Sequence, residues 1–77
     1  MATITDAATG WSSPVSRTTN EVWQSRSGNV FVSTSASPGP DDGIALHEMH
    51  AIQFAAGLSV RYRKEGTGEA MIAREAV

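Results

Sequence analysis

The sequence predicts a small all-β protein, an antiparallel β-sandwich or barrel of about five to six short strands behind an extended N-terminal arm. Three observations predict it. Apolar side chains recur at every second position through the central run (Ile44, Leu46; Ile52, Phe54; Leu58, Val60, Tyr62), the period that lines one face of a strand. Gly28, Gly43, Gly57 and the Glu65-Gly-Thr-Gly68 segment punctuate the apolar runs at short intervals. The first twenty residues, by contrast, carry only isolated Ile4, Trp11, Pro14 and Val15 among alanine, serine and threonine.

Residues 1–20 show neither helical nor alternating periodicity, and Pro14 disfavours a helix through them. Ordering each residue costs about 1–2 kcal/mol, so the segment costs roughly 20–40 kcal/mol. Trp11 and three aliphatic side chains are too little apolar surface to offset that on their own domain. The expectation is an arm ordered by a neighbouring subunit, with residues 21–77 as the β domain. Glu21–Arg26 and Asn29–Thr34 are rich in β-branched and aromatic residues around Ser27-Gly28, and read as a hairpin. Residues 35–43 hold two prolines, two glycines and two aspartates, and read as a loop.

Strands are predicted at about 44–48, 50–55 and 58–64. A rival is one helix over 44–56, capped by Asp41-Asp42 and ended by Gly57; the apolar alternation at even positions favours the strands. Glu65–Gly68 reads as a hairpin turn. The last strand, about 69–76, places Ala70, Ile72 and Arg74 on one face and Met71, Ala73 and Glu75 on the other, although its alanine and glutamate would also suit a helix.

A chain of 77 residues makes one domain at most and buries only roughly 60% of its unfolded surface. Core candidates are Trp23, Val30, Phe31, Val32, Ile44, Leu46, Ile52, Phe54, Leu58, Val60, Tyr62 and Ile72. There is no cysteine, which removes disulfides and thiolate metal sites. A scaffold without such staples favours assembly with copies of itself or a partner. The net charge of −2 leaves no polyanion-binding footprint, so no nucleic-acid partner is expected. No apolar stretch approaches the roughly 20 residues of a bilayer span, and Met-Ala-Thr-Ile-Thr-Asp lacks the basic start of a signal peptide. A soluble, intracellularly made protein without a membrane partner is the expectation.

Candidate sites are few. His47-Glu48-Met49-His50 has its histidines three apart, not four as in the zincin helix. On a strand they would face opposite ways, and on a helix a third ligand would have to come from elsewhere, so the expectation is two surface histidines at a turn and no metal site is assigned. Asp41 and Asp42, between Pro40 and Gly43, read as turn builders. No serine has a Gly-x-Ser-x-Gly elbow, and neither catalytic residues nor a cofactor are predicted. Arg61 and Arg63 sit side by side on the outer face if Leu58, Val60 and Tyr62 point inward. Trp11 either covers its own sheet or, as a large amphipathic ring in an arm, anchors a partner; anchoring is the expectation.

Several of these segments resemble counterparts in a known family. Glu21-Val-Trp-Gln24, Gly28–Thr34, Gly43-Ile-Ala-Leu46, Ala51-Ile-Gln-Phe54, Val60-Arg-Tyr-Arg63 and Ala70-Met-Ile-Ala73 are similar to small β-sandwich virion proteins of tailed bacteriophages, over about residues 20–76. Those proteins carry Gly-Ile-Pro-Leu and a Pro-Gly-Glu turn; here Ala45 replaces the proline and Glu48-Met49 stands where Pro-Gly is usual. The resemblance implies a structural virion component, best a capsid decoration (cement) protein on the capsid surface, made in the host cytoplasm. It implies a homotrimer whose partners are the major capsid protein and copies of itself. On that reading Trp11, Pro14 and Val15 fill a groove of the shell, Arg17, Arg61 and Arg63 pair with its carboxylates, and deletion of residues 2–18 leaves a folded domain. A tail, neck or fibre-base component is the nearest alternative. A sugar- or host-surface-binding module using Trp23, Tyr62 and the Asp41-Asp42 loop is another.

Overall fold

A computed structural model describes residues 2–39, 42–66 and 68–77. Its eight strands are β1 (Ala2–Ile4), β2 (Val15–Ser16), β3 (Glu21–Ser27), β4 (Val30–Ser33), β5 (Ile44–Leu46), β6 (Ala51–Phe54), β7 (Ser59–Lys64) and β8 (Met71–Ala76). They form two four-stranded antiparallel sheets, in the orders β1-β8-β3-β6 and β2-β7-β4-β5. The all-β prediction holds. The helices weighed for 44–56 and for the C-terminal stretch do not form, because the alternating apolar face of each has a sheet to cover.

The couples β1/β2, β3/β4, β5/β6 and β7/β8 are each divided between the two sheets, whereas β4 and β5 pair within one. The two hairpins expected from sequence are therefore corrected. Segments β3 and β4 are strands joined through Gly28, but each pairs elsewhere: β3 with β6 and β8, β4 with β5 and β7. The same holds for β7 and β8 across the Glu65–Gly68 turn, of which Thr67 lies outside the described residues. Joining the sheets rather than one sheet's neighbours puts two inward faces opposite each other, which is what a chain with so few large side chains needs to enclose a core.

That core is Trp23, Val30, Val32, Leu46, Phe54, Val60, Tyr62 and Ile72, joined by Ile4. Sequence reading placed most of it correctly. Ile44 and Leu58, expected inside, are 52% and 42% exposed, since one lies on an edge strand and the other precedes β7. Phe31 lies on the outer face, paired with Arg63 and Ala45. Ile4 was missed.

The larger correction concerns residues 1–20. They are extended, but lie on their own body. β1 pairs with β8 (Ile4 opposite Ile72) and β2 with β7 (Val15 opposite Val60), so the segment supplies one edge strand to each sheet. Between them Lys64 N donates to Ala8 O at 2.8 Å and Ser12 N to Tyr62 O at 2.9 Å. The segment is ordered by main-chain hydrogen bonds along two otherwise open edges together with Ile4 in the core and Ala7 and Val15 packed against it.

The turn from β5 to β6 contains a backbone exception. Met49 has φ 72°, the left-handed region that costs a side-chain-bearing residue roughly 1–2 kcal/mol. Met49→Gly is expected to stabilise the fold by about 0.5–1 kcal/mol after the extra unfolded-chain entropy of glycine is subtracted. A urea titration with unchanged slope and a higher midpoint checks it.

Candidate functional site

The inward side of the first sheet carries a polar cluster where β3 starts and β8 ends. Glu21 and Trp23 share a parity on β3, and Arg74 lies opposite Trp23 on β8. Arg74 Nε and Nη2 donate to the two carboxylate oxygens of Glu21 at 3.0 and 3.2 Å, and Trp23 Nε1 donates to Glu21 Oε1 at 3.0 Å. One carboxylate thus fixes both a cation and an indole. The Arg74 guanidinium also lies 5.1 Å from the Trp23 ring centre, a cation–π contact.

Arg17, expected to reach for a partner's carboxylate, is instead 4% exposed. Its Nη2 donates to Ala55 O at 2.8 Å, and its guanidinium lies 5.0 Å from the Phe54 ring centre. Gly57 N donates to Arg17 O, fastening the β6–β7 turn over it. Nε and Nη1 find no partner among the described residues. Burial pulls the Arg17 pKa down, the Glu21 charge pushes it back up, and the Arg74 charge lowers it. It is a buried cation held as a plug at the end of the core.

Tyr62 is also spent on the fold. Its hydroxyl donates to Asp6 Oδ1 at 2.7 Å, tying β7 to the N-terminal segment. Burial, then the hydrogen bond and the charge of Asp6, push its pKa up to about 12. A folded-state pKa above the unfolded value of 10.0 means that the protonated form is favoured by folding. That stability is complete below pH 10 and is lost as pH rises toward about 12, roughly 2–3 kcal/mol in all. Tyr62 is the sole tyrosine, so its ultraviolet absorbance titration reads the site directly. Tyr62→Phe is expected to flatten most of the stability loss over that pH range.

On the outer face of the second sheet, Arg63 lies 4.2 Å from the Phe31 ring centre and 5.3 Å from that of Trp11. Trp11 Nε1 donates to Gly39 O at 2.8 Å. A Cβ on Gly43 would stand 2.7 Å from the Trp11 ring and 2.9 Å from Val32 O, so glycine there lets the indole lie flat. Trp11 therefore covers its own sheet. The sequence expectation that Arg61 and Arg63 share the outer face holds, while Trp11, Val15, Arg17 and Arg63 are all engaged within the chain.

Pro14 and Arg61 are left together. With Thr34, Ser35, Ala36 and Ser59 they line a hollow of about 240 Å³ between β7 and the loop after β4. Arg61 Nη1 donates to Ser12 O at 3.0 Å, which orients the guanidinium along that hollow. A second hollow, about 280 Å³, has Lys64 and Glu69 as its ionisable lining. Trp23 is fully buried and Tyr62 nearly so, so neither offers the exposed platform that a sugar-binding reading required. Asp42 builds a turn as expected, accepting from Gly39 N at 2.7 Å; Asp41 and Pro40 lie outside the described residues. No helix among the described residues is long and apolar enough to cross a membrane.

His47 and His50 are exposed and lie at a turn, as expected from the sequence. They flank the turn at Glu48-Met49, where His50 N donates to His47 O at 2.9 Å, and their ring centres are 5.6 Å apart.

No protein-family model matches the chain, and no match emerges among curated proteins or solved structures.

Proposed function

We propose that this chain is a structural, non-enzymatic virion protein of a tailed phage, of the capsid decoration kind, which binds the outer surface of the head and braces contacts between capsid subunits. The observation that carries the reading is the φ of 72° at Met49. Glu48-Met49 departs in sequence from the Pro-Gly turn of the resembling proteins, yet the second residue adopts a conformation that suits glycine. That conformation is compatible with a Pro-Gly turn at the same place, and it supports the reading.

The fold also suits a binding role. Its polar clusters hold the chain together and do not converge on an open site. The contact surface differs from the one expected from sequence: with the N-terminal segment laid on its own body, the free candidates are Pro14, Arg61 and the edge strands β5 and β6. Those two strands (Ile44-Ala-Leu46 and Ala51-Ile-Gln-Phe54) carry no charge and no proline, whereas edges kept from association usually have one or the other. Arg61 in its hydroxyl-lined hollow fits a carboxylate of the shell.

The test is add-back. Purified protein is mixed with phage heads lacking it, and bound copies are counted by mass spectrometry and located by electron microscopy. Saturation at hundreds of copies over the head surface is expected. A few copies at one vertex would move the assignment to the tail, neck or fibre base, and no association with the particle would reject the virion reading.

A further inference from the structure

We infer that His47 and His50 form a two-point chelate for a divalent transition-metal ion of the zinc, nickel or copper class. Imidazole is a preferred ligand for these ions. Two imidazoles bound to one tetrahedral ion at about 2.0–2.1 Å hold their ring centres roughly 5 Å apart. The rings of His47 and His50 stand 5.6 Å apart at an interplanar angle of 80°, close to that spacing, and rotation of the exposed side chains would turn a nitrogen of each toward a shared ion. Both residues are exposed, and an incoming ion meets no barrier.

The backbone beneath them is already fixed. Met49 N donates to Ser25 O at 2.6 Å, Ser25 N to His50 O at 3.0 Å, and Gln24 Nε2 to Met49 O at 3.0 Å. On the other side Glu48 N donates to Asn29 Oδ1 at 3.2 Å. A clamped turn loses little freedom when it binds, so each ring acts as a preorganised ligand for the second step. The left-handed Met49 within that turn is local strain of the kind found at functional positions. Glu48 is directed at Gly28 N, 3.5 Å away, and no group of three or more His, Cys, Asp or Glu side chains is gathered for a metal among the described residues. The site is therefore bidentate, with its other positions open to water or to a carboxylate of a second molecule.

Zinc ion added to the full chain at pH 7.5, followed by two-dimensional amide and imidazole NMR, tests this. Saturable one-to-one shifts centred on residues 47–50 are expected. His47→Ala and His50→Ala should each weaken binding by roughly a hundredfold, the scale of losing one arm of a chelate. Shifts that do not saturate, or a single variant that binds zinc as the unaltered chain does, would overturn the inference.

Discussion

A chain lacking residues 2–16 is expected to lose its cooperative unfolding transition, and to be unfolded or aggregated at a temperature where the full chain is folded. The truncation removes Ile4 from the core, for which Ile→Ala alone typically costs about 2–5 kcal/mol. It also removes β1 and β2, uncovering the main-chain edges of β8 and β7. The hydroxyl of Tyr62 loses Asp6, and Trp11 leaves the outer face of the second sheet. Small domains hold only about 5–15 kcal/mol against unfolding, and those of this size sit low in that range. Circular dichroism against temperature settles it. A truncated chain that unfolds sharply at the full-length midpoint would mean that the N-terminal segment is an appendage after all.

Trp23→Ala is the second large effect, expected to cost about 3–5 kcal/mol. Trp23 is fully buried and stands edge-on to Phe54, with ring centres 5.5 Å apart. Its removal opens a cavity between the sheets and takes an indole donor from Glu21 and a ring face from Arg74. Trp23→Phe separates these contributions. It refills part of the volume while deleting the Nε1 hydrogen bond, so it should lie well above alanine and about 1–2 kcal/mol or more below the native chain. Urea midpoints for the three proteins give the ranking. Equal midpoints for native and alanine forms would show that Trp23 is not a core residue.

What was legible in the sequence is what a strand writes locally. The inward Val60 and Tyr62, the outward Arg61 and Arg63, and the inward Ile72 and Arg74 all follow from alternation within one segment. Pairing partners did not follow, because a turn signal such as Ser27-Gly28 marks a reversal without saying whether the chain returns in the same sheet or crosses to the other. The N-terminal segment was misread for a thermodynamic reason. Many of its anchors are backbone hydrogen bonds to β7 and β8, which leave no hydropathic trace, and its apolar anchors Ile4 and Val15 are isolated in the sequence. Arg17 was misread because a lone arginine in a polar stretch looks solvated, whereas here its charge rests on the Phe54 face beneath a turn. The histidine pair was visible in spacing, but only the turn conformation reveals that the rings meet.

Pairing of β1 with β8 joins Ala2 to Arg74, so the first sheet is complete only when nearly the whole polypeptide has been drawn into a single ring. Such distant closure is entropically slow, and it places this small protein with the all-β domains that reach their native state in milliseconds to seconds rather than microseconds. During that interval the uncharged β5 and β6 are available to any neighbouring strand. At high protein concentration that interval is therefore when strand-to-strand misassociation would arise.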